Sequence, residues 1–256
     1  MAIELYNNGT HQVIGFYDLV SDDGIQANQF LIINGNHAAL LDPGGEMVYN
    51  NLLMCAGQFL SDKTLDYVIG SHQDPDILSS LKKWLSESDC KILVPAIWER
   101  FVLHCTSDIS LKGRIIGIPD QGTNIQLGNT FLKAIPAHFL HSEGNFQFYD
   151  PISKILFSGD LGASPFLRYS EKAEQPIDNF EEHRHNMESF HRRYMTNNRV
   201  CRYWVNMIRH LDVEWIVPQH GKSIQGKEMI EQFLKWVEEL QCGTDLVTQE
   251  TYKIPE

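Results

Sequence analysis

Six histidine and aspartate side chains, in four separated segments, are of the types that bind metal ions in proteins. They are His72, Asp74, Asp76, His141, Asp160 and His220. The first three form a His-x-Asp-x-Asp run. A shell rich in carboxylates favours oxygen ligation and departs from what zinc alone prefers. The residue types therefore predict a metal site that several parts of the chain build together.

Each of these segments follows an apolar stretch that is predicted to be a β-strand. The stretch 65–70 precedes the His-x-Asp-x-Asp run, 155–158 precedes Asp160, and 214–217 precedes His220. Loops at strand ends converge on one edge of a sheet, so distant ligands can meet around one cavity. The glycines at 162 and 221 allow the backbone to approach closely beside the ligands.

Strands and helices alternate in two halves of the chain. The predicted strands are 12–17, 29–34, 37–42, 67–70, 92–95, 114–118, 124–127, 130–136, 146–149, 155–158 and 214–217. The predicted helices are 48–60, 78–86, 97–104, 178–196, 199–211 and 227–239. The segment from Gly243 onward is predicted to be a loose terminus. This pattern predicts an α/β or α+β fold in a single domain over residues 1–256.

Composition excludes several classes of function. The net charge of −12 argues against non-specific nucleic-acid binding. No apolar run approaches the ~18 residues that span a bilayer, and the N-terminus lacks a signal-peptide core. The five cysteines are scattered and never in C-x-x-C spacing, which indicates reduced thiols in a cytoplasmic protein and argues against a cysteine zinc site.

The four segments, in this order, resemble those of the metallo-β-lactamase superfamily. Its hydrolases usually carry His-x-His-x-Asp-His, and here Asp74 and Ile77 stand where the second and last histidines would be. The resemblance covers roughly residues 28–222. It implies a fold of the α+β class, a four-layer αββα sandwich with the ligand loops along one edge.

Within the superfamily, the chain is most similar to the di-iron domain of flavodiiron proteins. Those proteins use His-x-Glu-x-Asp, then a His, a bridging Asp and a last His. Carried over by position, one iron would be held by His72, Asp74 and His141, the other by Asp76 and His220, with Asp160 bridging them. Asp74 departs from the family's usual Glu and is one methylene shorter.

Two histidines compete for the third-histidine position. His141 is followed by Ser-Glu-Gly-Asn, which resembles a turn typical of the superfamily, whereas His138 lacks that turn. His141 is therefore the predicted ligand, and His138 is predicted to lie beside the site or in its pocket.

The resemblance also implies a function. The chain ends about where a flavodiiron protein would begin its flavodoxin domain, so it is similar to stand-alone oxygen-binding di-iron proteins associated with oxygen sensing. We predict a non-haem di-iron protein that binds or slowly reduces O₂, with two iron ions and no FMN in this chain. Zinc and manganese are alternative metals, and NO is an alternative ligand. An external electron donor or signalling protein is the expected partner, and a homodimer is weakly favoured.

The competing hypothesis is a dinuclear metallohydrolase, either a phosphodiesterase or a thioesterase. In that case Lys222, close to His220, would bind the anion of the substrate. Whether the protein is an enzyme therefore stays open at this point.

Other residues have predicted structural roles. Asp42 is predicted to cap a turn near the site, and Cys201 to be buried and inert. Tyr149 and Tyr169 are predicted to be packing residues. A solvated helix face is predicted for His183, His185 and His191.

Overall fold

The strands of the first of two β-sheets come from the N-terminal half of the chain. The structure is a computed structural model that describes residues 1–21, 24–106, 113–165 and 172–255. Seven strands lie side by side in chain order: β1 (Ala2–Asn7), β2 (His11–Phe16), β3 (Gln29–Asn34), β4 (His37–Leu41), β5 (Thr64–Ile69), β6 (Lys91–Pro95) and β7 (Ile115–Ile118). Strands β1 to β4 pair antiparallel, and β4 to β7 pair parallel.

In the part of the chain that the structure describes, the second sheet contains six strands in the spatial order β13-β12-β11-β10-β9-β8. They are β8 (Thr123–Leu127), β9 (Thr130–Pro136), β10 (Phe146–Asp150), β11 (Ile155–Gly159), β12 (Trp215–Pro218) and β13 (Ile224–Gln225). Only β11 and β12 pair parallel; the other neighbours are antiparallel. Consequently β9, β11 and β12 all point their carboxyl ends to the same edge.

The helices cover the outer faces of the sheets. They are α1 (Tyr49–Leu60), α2 (Pro75–Leu78), α3 (Leu81–Glu87), α4 (Phe180–Tyr194), α5 (Asn198–Ile208) and α6 (Lys227–Glu239). Helices α1 to α3 pack on the first sheet and α4 to α6 on the second. None of the described helices is long and apolar enough to cross a lipid bilayer.

A third apolar cluster lies between the two sheets, where Phe30 packs against Phe157 with ring centroids 5.2 Å apart. Strands such as β3 and β11 are buried along their whole length because both of their faces are covered. The order of layers is therefore helices, sheet, sheet, helices, and the predicted αββα fold is confirmed.

Three short segments differ from the prediction. The predicted helix over 97–104 is instead two 3₁₀ turns, Ala96–Trp98 and Val102–Cys105. Its apolar residues Ile97, Phe101 and Leu103 are exposed, so no continuous apolar face packs against the sheet. Strands β1 and β13 were not predicted; β1 is only partly buried and β13 has two residues, so neither shows a strong apolar pattern.

The C-terminal segment is also more ordered than predicted. It contains 3₁₀ turns at Gly243–Asp245 and Gln249–Thr251. The first turn is tied to the rest of the chain, because the amide of Thr244 donates to the carbonyl of Thr196 over 2.7 Å. The prediction of a loose terminus is therefore wrong for this turn.

Candidate metal centre

The six candidate ligands lie at one edge of the sandwich, immediately after strand ends. His72 to Asp76 follow β5 in the first sheet. In the second sheet, the turn with His141 follows β9, Asp160 follows β11, and His220 follows β12. Hydrogen bonds hold the sheets together at this edge. The amide of Phe146 donates to the carbonyl of Ser71 (3.0 Å), and the side chain of Asn28 donates to the carbonyls of Pro218 (3.0 Å) and Gly221 (2.9 Å).

Four of the six side chains form a first group. Their ligand atoms, from His72, Asp74, His141 and Asp160, all lie within 4.8 Å of one another. Asp74 Oδ2 is 2.9 Å from His141 Nε2 and 3.6 Å from His72 Nε2. Asp160 Oδ2 is 3.5 Å from His141 Nε2. Two imidazoles and two carboxylates therefore face one small volume.

Asp76 and His220 form a second group beside the first. His220 Nε2 lies 3.3 Å from Asp76 Oδ2 and 3.5 Å from Asp160 Oδ1. Asp160 thus presents one carboxylate oxygen to each group. This arrangement gives two adjacent ligand sets that share a single carboxylate.

The charges of the site shift its pKa values in opposite directions. Burial alone would raise the pKa of Asp74 and lower that of His220. The hydrogen bonds from His141 and His72 prevail at Asp74 and lower its pKa. At His220 the hydrogen bond to Asp76 and the charge of Asp160 prevail and raise the pKa to about 9. The carboxylates around His220 therefore favour its protonated form, and a metal ion that binds Nε2 must displace that proton.

Outer hydrogen bonds orient two of the three histidines. His72 Nδ1 is 2.9 Å from Ser71 Oγ, and His220 Nδ1 donates to the carbonyl of Gln26 over 2.7 Å. Asp42 accepts the amide of Ser71 over 2.8 Å, which agrees with its predicted structural role. Burial raises the pKa of Asp42 to about 6. The Nδ1 contacts of His72 and His220 fix each ring so that its Nε2 points at the metal position.

His141 is held differently from the other two histidines. Its Nδ1 is buried and makes no hydrogen bond with any described residue. Its ring lies against Tyr194, with centroids 5.4 Å apart, and Phe190, at 6.0 Å. His138 points elsewhere: its Nε2 is 2.8 Å from the carbonyl of Asp120 and its ring packs against Phe146. Of the two competing histidines, only His141 faces the carboxylates.

Beside the candidate ligands lies a cavity of about 700 Å³. Its lining is largely apolar and includes Ile25, Met47, Phe190 and Tyr194, together with Arg193 and five of the six candidate ligands. The sequence did not single out the α4 residues of this wall. Phe190 and Tyr194 are four residues apart in a predicted helix, which places both rings on one helix face. This spacing was the sequence feature that could have identified them.

Helix α4 also corrects a prediction about histidines. His183 and His191 are buried, and only His185 is exposed as expected. His191 accepts the amide of Gly162 at Nε2 (2.8 Å) and donates from Nδ1 to the carbonyl of Met187 (2.8 Å). Burial lowers its pKa to about 4, so it is neutral at pH 7. His191 thus supports the loop that follows Asp160.

The two glycines beside the ligands adopt left-handed conformations, with φ of 98° at Gly162 and 81° at Gly221. A Cβ at Gly221 would lie 2.0 Å from Ser164 Oγ. The loop after His220 therefore requires glycine, as predicted.

The remaining predicted residues lie away from the site. The Tyr149 hydroxyl donates to the carbonyl of Asp212 over 3.0 Å. Tyr169 lies outside the described residues. Cys201 is buried, as predicted, with its Sγ 3.9 Å from Cys242 Sγ. Lys222 lines a separate cavity with Asp178 and with residues of α4 such as Glu181, rather than the cavity beside the ligands.

Known proteins resemble this chain over most of its length. Residues 25–221 match the family described as ODP family beta lactamase. An apo structure of the chemotaxis sensor ODP from T. denticola is 36% identical, with a TM-score of 0.86. A structure of a peroxy diiron species of the chemotaxis sensor ODP is 35% identical, with a TM-score of 0.85. Each match covers 98% of this chain and 99% of the other.

More distant proteins are also similar to this chain, one in fold and one in sequence. Rubredoxin oxygen:oxidoreductase from Desulfovibrio gigas is 15% identical, with a TM-score of 0.77, over 93% of this chain and 61% of that one. An uncharacterized protein of Methanocaldococcus jannaschii is 26% identical over 229 residues, which are 88% of this chain and 56% of the relative. The chain therefore spans little more than half the length of that curated relative. The superfamily resemblance predicted from the sequence is confirmed.

Proposed function

Because the chain belongs to the ODP family of beta lactamases, we propose that it is a non-haem di-iron protein that binds O₂ and serves in oxygen sensing. The observation that carries this proposal is the position of Asp160 between two ligand sets, 3.5 Å from His141 Nε2 on one side and 3.5 Å from His220 Nε2 on the other. A carboxylate so placed can bridge two cations.

The donor set fits two iron ions. Three imidazoles and three carboxylates suit transition metals that accept both nitrogen and oxygen ligands. Asp160 Oδ1 is buried and makes no hydrogen bond with a described residue, so a cation would give this atom its partner. We propose that one ion is held by His72, Asp74, His141 and Asp160, and the other by Asp76, His220 and Asp160.

Two ferrous ions held by these residues would supply electrons to O₂. The chain's own residues shape the space in which this occurs. The apolar side chains of Ile25, Met47 and Phe190 line the cavity beside the ligands and disfavour water there. Ser71 and the Gln26 carbonyl keep two of the histidines oriented with Nε2 toward the ions.

We further propose that a separate protein reads the state of this centre and that an external donor re-reduces it. The support is the match along nearly the full chain to proteins described as chemotaxis sensors. The hydrolase hypothesis has less support, since Lys222, its candidate anion-binding residue, does not line the cavity beside the ligands.

The proposal is tested by anaerobic titration of the metal-free protein with ferrous iron, followed by exposure to O₂. We expect two ions per chain and a new visible absorption band when O₂ is admitted. His141→Ala should lower the number of bound ions. His138→Ala is the matched control, because it removes a histidine from the same turn that does not face the carboxylates, and it should still bind two.

Two results would contradict the proposal. The first is a wild-type protein that binds fewer than two ferrous ions. The second is a loaded protein that does not respond to O₂ but hydrolyses a generic phosphodiester in its zinc or manganese form. That second result would establish the hydrolase instead.

A further inference from the structure

The turn that carries His141 has an unusual backbone. Two of its non-glycine residues adopt left-handed conformations, with φ of 67° at Phe139 and 80° at His141. Bulky residues rarely adopt this region, which is less favourable for side chains with a Cβ. The turn is closed by hydrogen bonds from the amide of Phe139 to the carbonyl of Ser142 (2.7 Å) and from Leu140 to Ala137 (3.0 Å).

His141 also lacks the outer hydrogen bond that the other candidate histidine ligands have. Its buried Nδ1 has no partner among the described residues. His72 and His220 are each fixed at Nδ1, by Ser71 Oγ and by the carbonyl of Gln26. Apart from the 2.9 Å contact of its Nε2 with Asp74, the position of His141 therefore depends on the turn itself and on ring contacts with α4, which ends at Tyr194.

Backbone hydrogen bonds connect this turn to the C-terminal segment. The carbonyl of Phe139 accepts the amide of Thr196 over 3.2 Å. The carbonyl of Thr196 accepts the amide of Thr244 over 2.7 Å and its hydroxyl over 3.1 Å. The side chain of Asp245 accepts the amide of Asn198 over 2.6 Å. Residues 196–198 are thus bonded to the His141 turn on one side and to the C-terminal turn on the other.

The far end of this path lies at the protein surface. Leu246 and Val247 are each 40% exposed, and Tyr194, which shares a cavity with them, is 51% exposed, although these side chains are apolar or aromatic. Tyr194, Leu246 and Val247 line one surface cavity together with Thr196 and Thr244. A change in how residues 243–251 pack against Thr196 would therefore alter a surface that is accessible to another protein.

We propose that the turn at 137–142 couples metal binding at the candidate centre to the packing of residues 243–251 against Thr196. Thr196 connects the two segments, because it is hydrogen-bonded to both. This inference rests on the proposed function. A cation on His141 Nε2 favours the conformation in which the turn places the ring at the site. The same conformation presents the Phe139 carbonyl to the amide of Thr196. Metal binding therefore also stabilises the hydrogen bond between Phe139 and Thr196 and the one between Thr196 and Thr244.

Amide hydrogen exchange of the full chain tests the coupling directly. The protein is compared metal-free and loaded anaerobically with ferrous iron, in peptides that cover 137–142, 194–198 and 243–251. We expect exchange in all three to slow by about fivefold or more on loading, within the usual range of coupling between sites. A peptide from β3, deep between the sheets, serves as the internal reference.

The outcomes separate this inference from the proposed function. If the wild-type protein does not bind two ions, the proposed function fails and the coupling fails with it. If two ions bind and exchange in 243–251 does not change, the coupling alone is wrong.

Gly243 offers a way to break the junction far from the ligands. Its φ is 48°, and a Cβ there would lie 2.2 Å from the carbonyl oxygen of Met195 and 2.3 Å from that of Thr196. Gly243→Ala should therefore push the C-terminal turn away from Thr196. Because coupling is reciprocal, we expect iron affinity to fall by about fivefold or more, and the loading-dependent protection of 243–251 to disappear.

Gly35→Ala is the matched control. Gly35 has a similar left-handed φ of 59°, but a Cβ there meets nothing within 4 Å. The Gly35→Ala protein should bind iron with the affinity of the wild type. If Gly243→Ala is poorly folded, Thr244→Val removes only the hydroxyl bond to Thr196 and should show a smaller loss in the same direction. Wild-type affinity and wild-type protection in a folded Gly243→Ala protein would overturn the proposal.

Discussion

The two sheets are joined at both edges by buried histidine and aspartate side chains, but the two junctions differ in how they are completed. At the edge away from the candidate ligands, His11 Nε2 of β2 lies 2.7 Å from Asp150 Oδ2 of β10. The other ring nitrogen is 3.3 Å from Asn34 Oδ1. Asp150 also accepts hydrogen bonds from the amide of Ile152 and the hydroxyl of Ser153. This junction satisfies its own polar atoms.

At the ligand edge, the same residue types are more numerous and less completely paired. Three imidazoles face three carboxylates, and the buried atoms Asp160 Oδ1 and His141 Nδ1 make no hydrogen bond with a described residue. A cavity opens directly beside them. A buried histidine–aspartate pair is therefore not by itself a sign of metal binding. What distinguishes the candidate centre is several donors that converge on one space and leave Asp160 Oδ1 for an ion to satisfy.

The largest expected effect is on metal binding by Asp160→Asn. The amide keeps the shape of the side chain but cannot bridge two cations as a carboxylate does. We expect the number of bound ferrous ions to fall from two to at most one per chain, measured by anaerobic titration. The unfolding free energy of the metal-free protein should change less than it does on substitution of Asp150. An Asp160→Asn protein that still binds two ions with wild-type affinity would show that the shared carboxylate is not needed.

At the opposite edge, Asp150→Asn should affect stability instead. It removes one partner of a buried pair, for which the loss is typically about 3–5 kcal/mol of unfolding free energy. Burial raises the pKa of Asp150, but hydrogen bonds from His11 and Ser153 outweigh it and lower the pKa. The contribution of this pair should therefore be present above about pH 4 and lost as the pH falls below it.

Denaturant unfolding of the metal-free protein measures this loss, and iron titration of the folded variant provides the control. Two bound ions with near-wild-type affinity are expected for Asp150→Asn, since the residue lies at the other edge of the sandwich. Loss of iron binding in a folded variant would contradict the separation of the two junctions.

The two edges should also differ in their response to pH. With its pKa raised to about 9, His220 is protonated at pH 7 in the metal-free protein, and the metal requires the neutral ring. Displacement of one proton makes iron affinity rise by about tenfold per pH unit between pH 7 and 9, and level off above. Anaerobic competition titrations in non-coordinating buffers measure this slope. A flat profile over that range would show that His220 is neutral before the ion binds.

Much of the candidate centre could be predicted from sequence because its ligands follow strand ends in short, recognisable runs. His72, Asp160 and His220 each come directly after an apolar strand, and the topology brings such ends to one edge. The choice of His141 over His138 came from the turn that follows it, and the structure places only His141 near the carboxylates. The four-layer fold followed from the resemblance rather than from periodicity.

The parts that could not be predicted depend on contacts between distant segments. His191 looks like a surface residue of a polar helix, yet it is buried because α4 packs over the loop after Asp160. The closed pair of His11 and Asp150 is 139 residues apart in the chain, and neither residue belongs to a motif. The ordered turn at Gly243–Asp245 depends on Thr196, which no local pattern indicates.

The smallest expected effect compares one serine at each edge. Ser71 Oγ lies 2.9 Å from His72 Nδ1, and Ser153 Oγ donates to Asp150. Ser71→Ala removes an outer contact of a ligand and should lower iron affinity by about tenfold, the lower end of the range for such contacts. Ser153→Ala should leave iron affinity unchanged and lower the unfolding free energy by about 1–2 kcal/mol, because a buried carboxylate loses a donor. Iron titration and denaturant unfolding of both variants give the comparison. If Ser153→Ala weakened iron binding as much as Ser71→Ala, the two edges would be coupled, and the pair of His11 and Asp150 would belong to the function of the metal centre as well as to the stability of the fold.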